Sequence, residues 1–316
     1  MQEHMMRAAY YERFGGPEVI KIGMMPKPVC TDQQILIKVA ATSYNAFDGY
    51  MRTGALGEVQ FPHIPHVDFS GIIEEIGMNV REYKIGDRVF GVLLPDFFQN
   101  SCAAEYIAID PTKIPLALAP ANCSLEDCAA VPAAALTAYQ GIMEHCKLKK
   151  GNCIYIAGGA GGVGSFAVQF AKRMGAFIIS SGVQESAHII SALGADVIFD
   201  YTIDSLSNAC TKPIDAIFCA APLSQQSVTE LLPYVKRGGR LVATLNAADE
   251  IKAKQFGVNA MVMAVQSNTM YLKAITKMLE AGEIVPNIYK RFTFKDIVKA
   301  NEEALHSHGK IVIYID

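Results

Sequence analysis

Residues 159 to 164 read Gly159-Ala160-Gly161-Gly162-Val163-Gly164, a G-x-G-x-x-G spacing that belongs to one kind of chemistry, the grip on a dinucleotide diphosphate. In that motif the first glycine turns the chain out of a strand. The second removes a side chain where the anion must reach the backbone, and the third lets the following helix close on the strand. The flanking sequence supplies both elements. "CIYIA", Cys153 to Ala157, is a short apolar strand. After the glycines, Val163, Phe166, Ala167, Phe170, Ala171 and Met174 recur on one helical face, and Gly175 stands where a helix would stop. Free N–H groups and the positive end of the helix dipole then face the anion.

The second strand, "AFIIS", decides which dinucleotide is expected. A site for NADH places a carboxylate near its end to hold the ribose 2′-hydroxyl. Here the end is Ser180-Ser181-Gly182, with no carboxylate before Glu185. Small hydroxyls leave room for a 2′-phosphate and can donate to it, so NADPH is expected over NADH, although no Lys or Arg stands nearby in sequence. Eight cysteines, at 30, 102, 123, 128, 146, 153, 210 and 219, include no CxxC pair and read as reduced thiols in a cytoplasmic protein. His63 and His66 flank Pro65 and read as turn or surface histidines; as a two-histidine metal site they would lack a third ligand. No metal is expected.

These residues need elements to hold them. Up to about Ile109 the chain reads as strands and turns ("QILIKVAATSYN", "FSGIIEEIGMNV", "KIGDRVFGVLL"), which suits a mostly antiparallel barrel-like domain. From about Ser124, strand-like "CIYIA", "AFIIS", "DVIFD", "DAIFCA" and "GRLVATL" alternate with helical stretches, the pattern of a parallel sheet with crossover helices. Past Gln266 a helical stretch leads to a last strand, "KIVIYID", which has no evident partner in the αβ block and is expected to return to the first domain. With 316 residues, half of them hydrophobic, two cores are within reach. A net charge of −3 with dispersed lysines and arginines argues against a nucleic-acid partner, and no run is apolar enough for a membrane span.

Over nearly its whole length the chain resembles the zinc-free quinone oxidoreductase (zeta-crystallin-like) branch of the medium-chain dehydrogenase/reductase superfamily. "FGGPEVIKI", "NAFDGYMRTG", "HVDFSGIIEEIG", "KIGDRVFG", "CAAEYIAI", "AALTAYQGI", "GGAGGVGSFAVQFAK", "ALGADVIFDY" and "GKIVIYI" stand in family order. The resemblance implies an α/β protein. Its GroES-like β-barrel catalytic domain (residues 1–123 and 266–316) is interrupted by a Rossmann doubly wound parallel-sheet domain (residues 124–265). Zinc-dependent relatives ligate the metal with a Cys in the Asn45 region, a His just before the acid equivalent to Asp68, and a Cys near "PAAALTAY". Here those places hold Asn45, Val67, and alanines or Leu136. His66 replaces a glycine usual in the branch, and a Lys or Arg that commonly grips the 2′-phosphate would fall near Ser186.

The same resemblance implies that the block Asn45 to Arg52 lines the nicotinamide end of the cleft. Asn45 would offer an amide donor and Tyr50 a phenol to the acceptor oxygen on which charge develops. Asp48 would hold the loop or the cofactor. Thr137 would reach the nicotinamide side, Tyr201 the adenosine phosphate, and Lys310 the cofactor. Asp68 is expected to pin a loop through hydrogen bonds. Phe97 and Phe98 are candidates to flank a planar acceptor. The expected activity is NADPH-dependent, zinc-independent hydride transfer to a small-molecule quinone or α,β-unsaturated carbonyl, by a homodimer. The alternatives are an enoyl-thioester reductase and a non-enzymatic nucleotide-binding adaptor on the same fold.

Overall fold

Ile35–Tyr44 alternates β-branched and small residues, and nearly all of it is buried because other strands flank it and both its faces are covered. It pairs antiparallel with Asp68–Ile76, with Tyr106–Ile109 and with the terminal strand Lys310–Tyr314. The terminal strand thus returns to the first part of the chain. In this computed structural model, which describes residues 4–94, 101–210 and 212–315, Ile35–Tyr44 is the centre of a seven-stranded sheet. From Ile288–Thr293 the order runs through Lys310–Tyr314, Ile35–Tyr44, Asp68–Ile76 and Arg88–Val92 to Leu116–Leu118, and Tyr106–Ile109 adds to the central strand. Only the pair Ile288–Thr293 and Lys310–Tyr314 is parallel. A separate hairpin joins Met5–Tyr10 to Lys21–Pro26.

The second sheet has six strands, all parallel. Their order is Val197–Asp200, Phe177–Gly182, Cys153–Ala157, Ile214–Cys219, Val235–Ala243, Asn259–Val262. In sequence order this is 3-2-1-4-5-6, so the direction of winding reverses beside Cys153–Ala157. All five residues of that strand are buried, as a strand covered on both faces must be. Leu241, Ile217, Ile214 and Leu232 fill one side of the core. Asn259–Val262, an edge strand, is not legible in the sequence because its "NAMV" lacks a β-branched run.

The chain divides into two units, Met1–Ala133 with Gln266–Asp316, and Ala134–Val265. Residues 124–133 therefore lie with the first unit rather than with the parallel sheet. The physical reason is the short helix Leu125–Cys128, which packs on Ile35–Tyr44, Asp68–Ile76, Arg88–Val92 and Lys310–Tyr314. Asp127 on that helix holds Arg291 with two hydrogen bonds, 2.9 and 3.0 Å. Among the described residues no helix is long and apolar enough to cross a membrane.

Candidate functional site

In the second unit, the glycine loop leaves the carboxyl end of Cys153–Ala157 at the point where the winding reverses, the place at which open parallel sheets bind ligands. The turn out of the strand is made by Gly158, at φ +79, one residue before the glycine to which the spacing assigns it. Gly159 is needed for a different reason: a Cβ there would collide with Ser180 Oγ. At Gly164 a Cβ would strike the Gly158 carbonyl, so this glycine closes the helix onto the loop. Gly161 differs from both. Its Cβ would meet only the Gly158 oxygen, at 3.3 Å, which leaves its outer side open.

Gly161 is also the N-cap of the helix Gly162–Arg173, with extended backbone (φ −62, ψ 167). The first helical hydrogen bond runs from Ser165 N–H to Gly161 O, 2.9 Å, so the N–H groups of Gly162, Val163 and Gly164 precede it. No acidic residue occupies the first turn, which leaves the positive end of the helix uncompensated. Residues 164 to 171 are all buried, a wider apolar contact than the single predicted face, and Gly175 ends the turn at φ +72. The loop is a cradle built for an anion.

Ser180 and Ser181 lie against the cradle. Both are buried. Ser180 Oγ donates to Ile156 O at 2.9 Å, and Ser181 Oγ shares a 2.9 Å hydrogen bond with the Tyr155 phenol. The Ser180 hydrogen goes to Ile156 O rather than outward, whereas either Ser181 or Tyr155 can be the donor in the bond they share; both serines form the floor on which the loop rests. Ser181 O accepts the Gly159 N–H at 3.0 Å. Ser186 is likewise buried, with Oγ donating to Val183 O. Tyr201 follows Asp200, which pairs in register with Gly182, and its ring is 58% exposed and open to a ligand. Thr137 lies on the helix Pro132–Tyr139, partly exposed.

In the first unit, Asn45, Asp48 and Tyr50 belong to one helix. Ala46–Arg52 is a helix with Asn45 as its N-cap, and Asp48 Oδ2 accepts the Asn45 N–H at 2.7 Å. The N-x-x-D spacing carries that signal, although the block reads as a loop without it. Asp68 is the hub. Fully buried, it accepts from Ala133 N–H (2.8 Å) at Oδ1, and from Ser43 Oγ (3.0 Å), Asn45 Nδ2 (2.9 Å) and Lys310 Nζ (3.1 Å) at Oδ2. Lys310 is equally buried, and its ammonium donates to Tyr44 O (2.9 Å), Asn45 Oδ1 (2.7 Å) and Asp68 Oδ2. Three hydrogens meet three acceptors. Lys310 is therefore spent inside the protein, and the expectation that it reaches the cofactor gives way to a different role. It fixes the Asn45 amide with its oxygen turned to the ammonium and one N–H turned to Asp68, which leaves the second N–H.

Burial without a full set of partners perturbs the neighbours. Desolvation pushes the Asp48 carboxyl up to about 7; the Asn45 N–H and the Lys310 charge oppose this, and Asp68 adds to it. His63 and His66, expected at a turn or on the surface, are both buried. Desolvation lowers His63 to about 4 and His66 to about 3, so both rings are neutral. His66 has φ +70, the left-handed region in which glycine is free of strain. Its ring nitrogen Nε2 lies 3.2 Å from Asn301 Nδ2, and Asn301 Oδ1 accepts from Arg52 Nη1 at 2.8 Å. Arg52 and Asn301, 249 positions apart, are both buried, and nothing in the sequence pairs them. Tyr50 is half-buried, and among the described residues its phenol has no protein partner. Phe97 and Phe98 lie outside the described residues.

An alcohol dehydrogenase GroES-like domain matches residues 31–173, and a zinc-binding dehydrogenase family matches residues 193–313. A 2-methylene-furan-3-one reductase of Solanum lycopersicum is 30% identical over 98% of this chain and 79% of its own. An NADPH-dependent alkenal/one oxidoreductase, chloroplastic, of Arabidopsis thaliana is 29% identical with the same coverage. Among solved structures, the quinone oxidoreductase from Coxiella burnetii superposes with a TM-score of 0.89 at 29% identity, over 99% of this chain and 100% of that one. One matching description names zinc, and the residues here do not fit it. Asn45 and Asp68 are bridged by an ammonium, which repels a second cation, and Val67 offers no donor. Among the described residues no three His, Cys, Asp or Glu side chains gather to hold a metal.

Proposed function

We propose a function from one premise: the chain belongs to the medium-chain dehydrogenase/reductase superfamily. Within it, this protein is an NADPH-dependent oxidoreductase that reduces quinones or α,β-unsaturated carbonyls. The observation that carries this reading is the cradle, a glycine loop at the winding reversal in which, of the three motif glycines, the second is open on its outer side. The relatives' names, an alkenal/one oxidoreductase, a furanone reductase and a quinone oxidoreductase, support the acceptor class. NADPH, when bound, supplies the hydride.

The chain's own residues hold and orient. Gly162, Val163 and Gly164 present backbone N–H groups to the diphosphate, Gly159, Ala160 and Gly161 shape the loop that lets it approach, and the exposed Tyr201 ring stands by the adenosine phosphate. Thr137 serves the nicotinamide side. Asn45, locked by Lys310 and Asp68, offers its remaining amide hydrogen, and Tyr50 offers its phenol, to the oxygen of the reduced acceptor. Asp48 holds the turn that carries both. We further assign the work to the cytoplasm, which the eight unpaired thiols suit, and to a homodimer joined at Asn259–Val262. Among the described residues that edge strand pairs on one side only.

The test is NADPH oxidation by the purified protein across a panel of ortho- and para-quinones and enones, with and without chelator. Turnover with at least one class, undiminished by chelator and reduced about tenfold or more in Tyr50→Phe or Asn45→Ala, is expected. Absence of turnover across the panel by a protein that binds NADPH overturns the reading in favour of a nucleotide-binding adaptor.

A further inference from the structure

Two thiols meet at the start of the short helix Leu125–Cys128. Ser124 is its N-cap, with extended backbone and with Oγ accepting the Asp127 N–H at 3.0 Å. This capping geometry lays the residue before the cap against the fourth residue of the helix, where proteins usually place two apolar side chains. Here those positions are Cys123 and Cys128. The two thiols act on each other in opposite senses, lowering Cys123 and raising Cys128. The backbone that presents them is tied down: Cys123 N–H donates to Pro120 O, Cys128 N–H to Ser124 O at 3.1 Å, and Arg88 Nη2 to Cys123 O at 3.0 Å.

The two positions differ as an attacking and a resolving thiol must. Cys123 is partly exposed and Cys128 is buried. The Cys128 thiol and the Arg88 charge hold the Cys123 thiol below its ordinary range, which favours the reactive thiolate there. Cys30 and Cys210 are also partly exposed, but each donates to a backbone carbonyl, Gln34 O and Lys212 O.

We propose that Cys123 and Cys128 form an oxidisable dithiol that a hydroperoxide closes to a disulfide and that an external dithiol reopens. The Cys123 thiolate attacks the peroxide, the O–O bond breaks, and a sulfenic acid and hydroxide result. The Cys128 sulfur then displaces the sulfenic hydroxyl, the S–S bond forms, and the Cys128 proton leaves with that oxygen as water. The thiols lose two electrons and the peroxide gains them. This inference stands on the first unit alone and does not depend on the proposed reaction.

The test treats the folded full-length protein with hydrogen peroxide, blocks remaining thiols by alkylation, and compares intact mass and non-reduced peptide maps before and after dithiothreitol. The expected result is loss of the mass of two hydrogens, a cross-linked peptide joining Cys123 to Cys128, and full reversal by dithiothreitol. Cys123→Ser, at a partly exposed position, is expected to abolish the cross-link with no change in melting temperature. Cys128→Ala is the buried control, accepted if its circular dichroism matches wild type. Oxygen addition at Cys123 with no link to Cys128, or a link between any other pair, overturns the proposal.

Discussion

Lys310→Met removes the cation that, among the described residues, pairs with Asp68, and leaves a fully buried carboxylate on three donors, Ser43, Asn45 and the Ala133 N–H. Breaking a buried pair on one side costs about 3–5 kcal/mol, because the survivor keeps its desolvation penalty and loses its counter-charge. For a unit of this length each kcal/mol is worth about 2–4 °C, so the melting midpoint falls by about 6–20 °C. Asp68→Asn, which strands the ammonium instead, loses a similar amount. The double variant Lys310→Met/Asp68→Asn strands neither charge, so the two losses do not add, and the coupling is about 2 kcal/mol or more. The assay is thermal and urea unfolding of all four proteins at one pH. If each single variant loses under about 1 kcal/mol and the losses add, the buried pair is not the fixture that sets Asn45, and the role given to Lys310 is wrong.

Gly161→Ala is expected to melt with wild type and to bind NADPH at least about tenfold more weakly, whereas Gly164→Ala loses stability outright because its Cβ meets backbone; calorimetry separates the two. Asp48, raised to about 7 in the folded protein from 3.8, favours folding while it is protonated, and that contribution drains away as pH rises from about 4 through 7. Asp48→Asn should therefore gain on wild type by about 3–5 kcal/mol across that window, read by unfolding at pH 4 and pH 8. His66, lowered to about 3 from 6.5, acts in the opposite sense: its contribution is complete above about 6.5 and is lost as pH falls toward 3. It accounts for about 2 kcal/mol of lost stability by pH 5, and His66→Asn, which tolerates the same backbone, should flatten that part of the acid limb.

The elements that hold the cradle were legible because each is local. "CIYIA" is apolar throughout and forms a strand covered on both faces; the helix after it repeats its apolar residues at 3.6 and ends at a glycine. Glycine spacing located the loop but misassigned the turn, since only backbone geometry distinguishes Gly158 from Gly159. The serines at 180 and 181 show the limit of reading a hydroxyl from its type. A donor is available to a ligand only if no nearer acceptor claims it, and Ile156 O claims that of Ser180. The partners of Lys310 were not legible, because its acceptors lie 242 to 266 positions away. Arg52 and Asn301 could not be paired from sequence for the same reason, and the histidines looked exposed because a proline between them suggests a turn.

The central claim is that the backbone of residues 159 to 164 grips NADPH. Isothermal titration of the purified protein with NADPH and with NADH tests it most directly. The account predicts saturable binding at one site per chain, tighter for NADPH, and lost in Gly161→Val while the fold persists. Absence of binding by wild type, or binding that Gly161→Val leaves untouched, contradicts it.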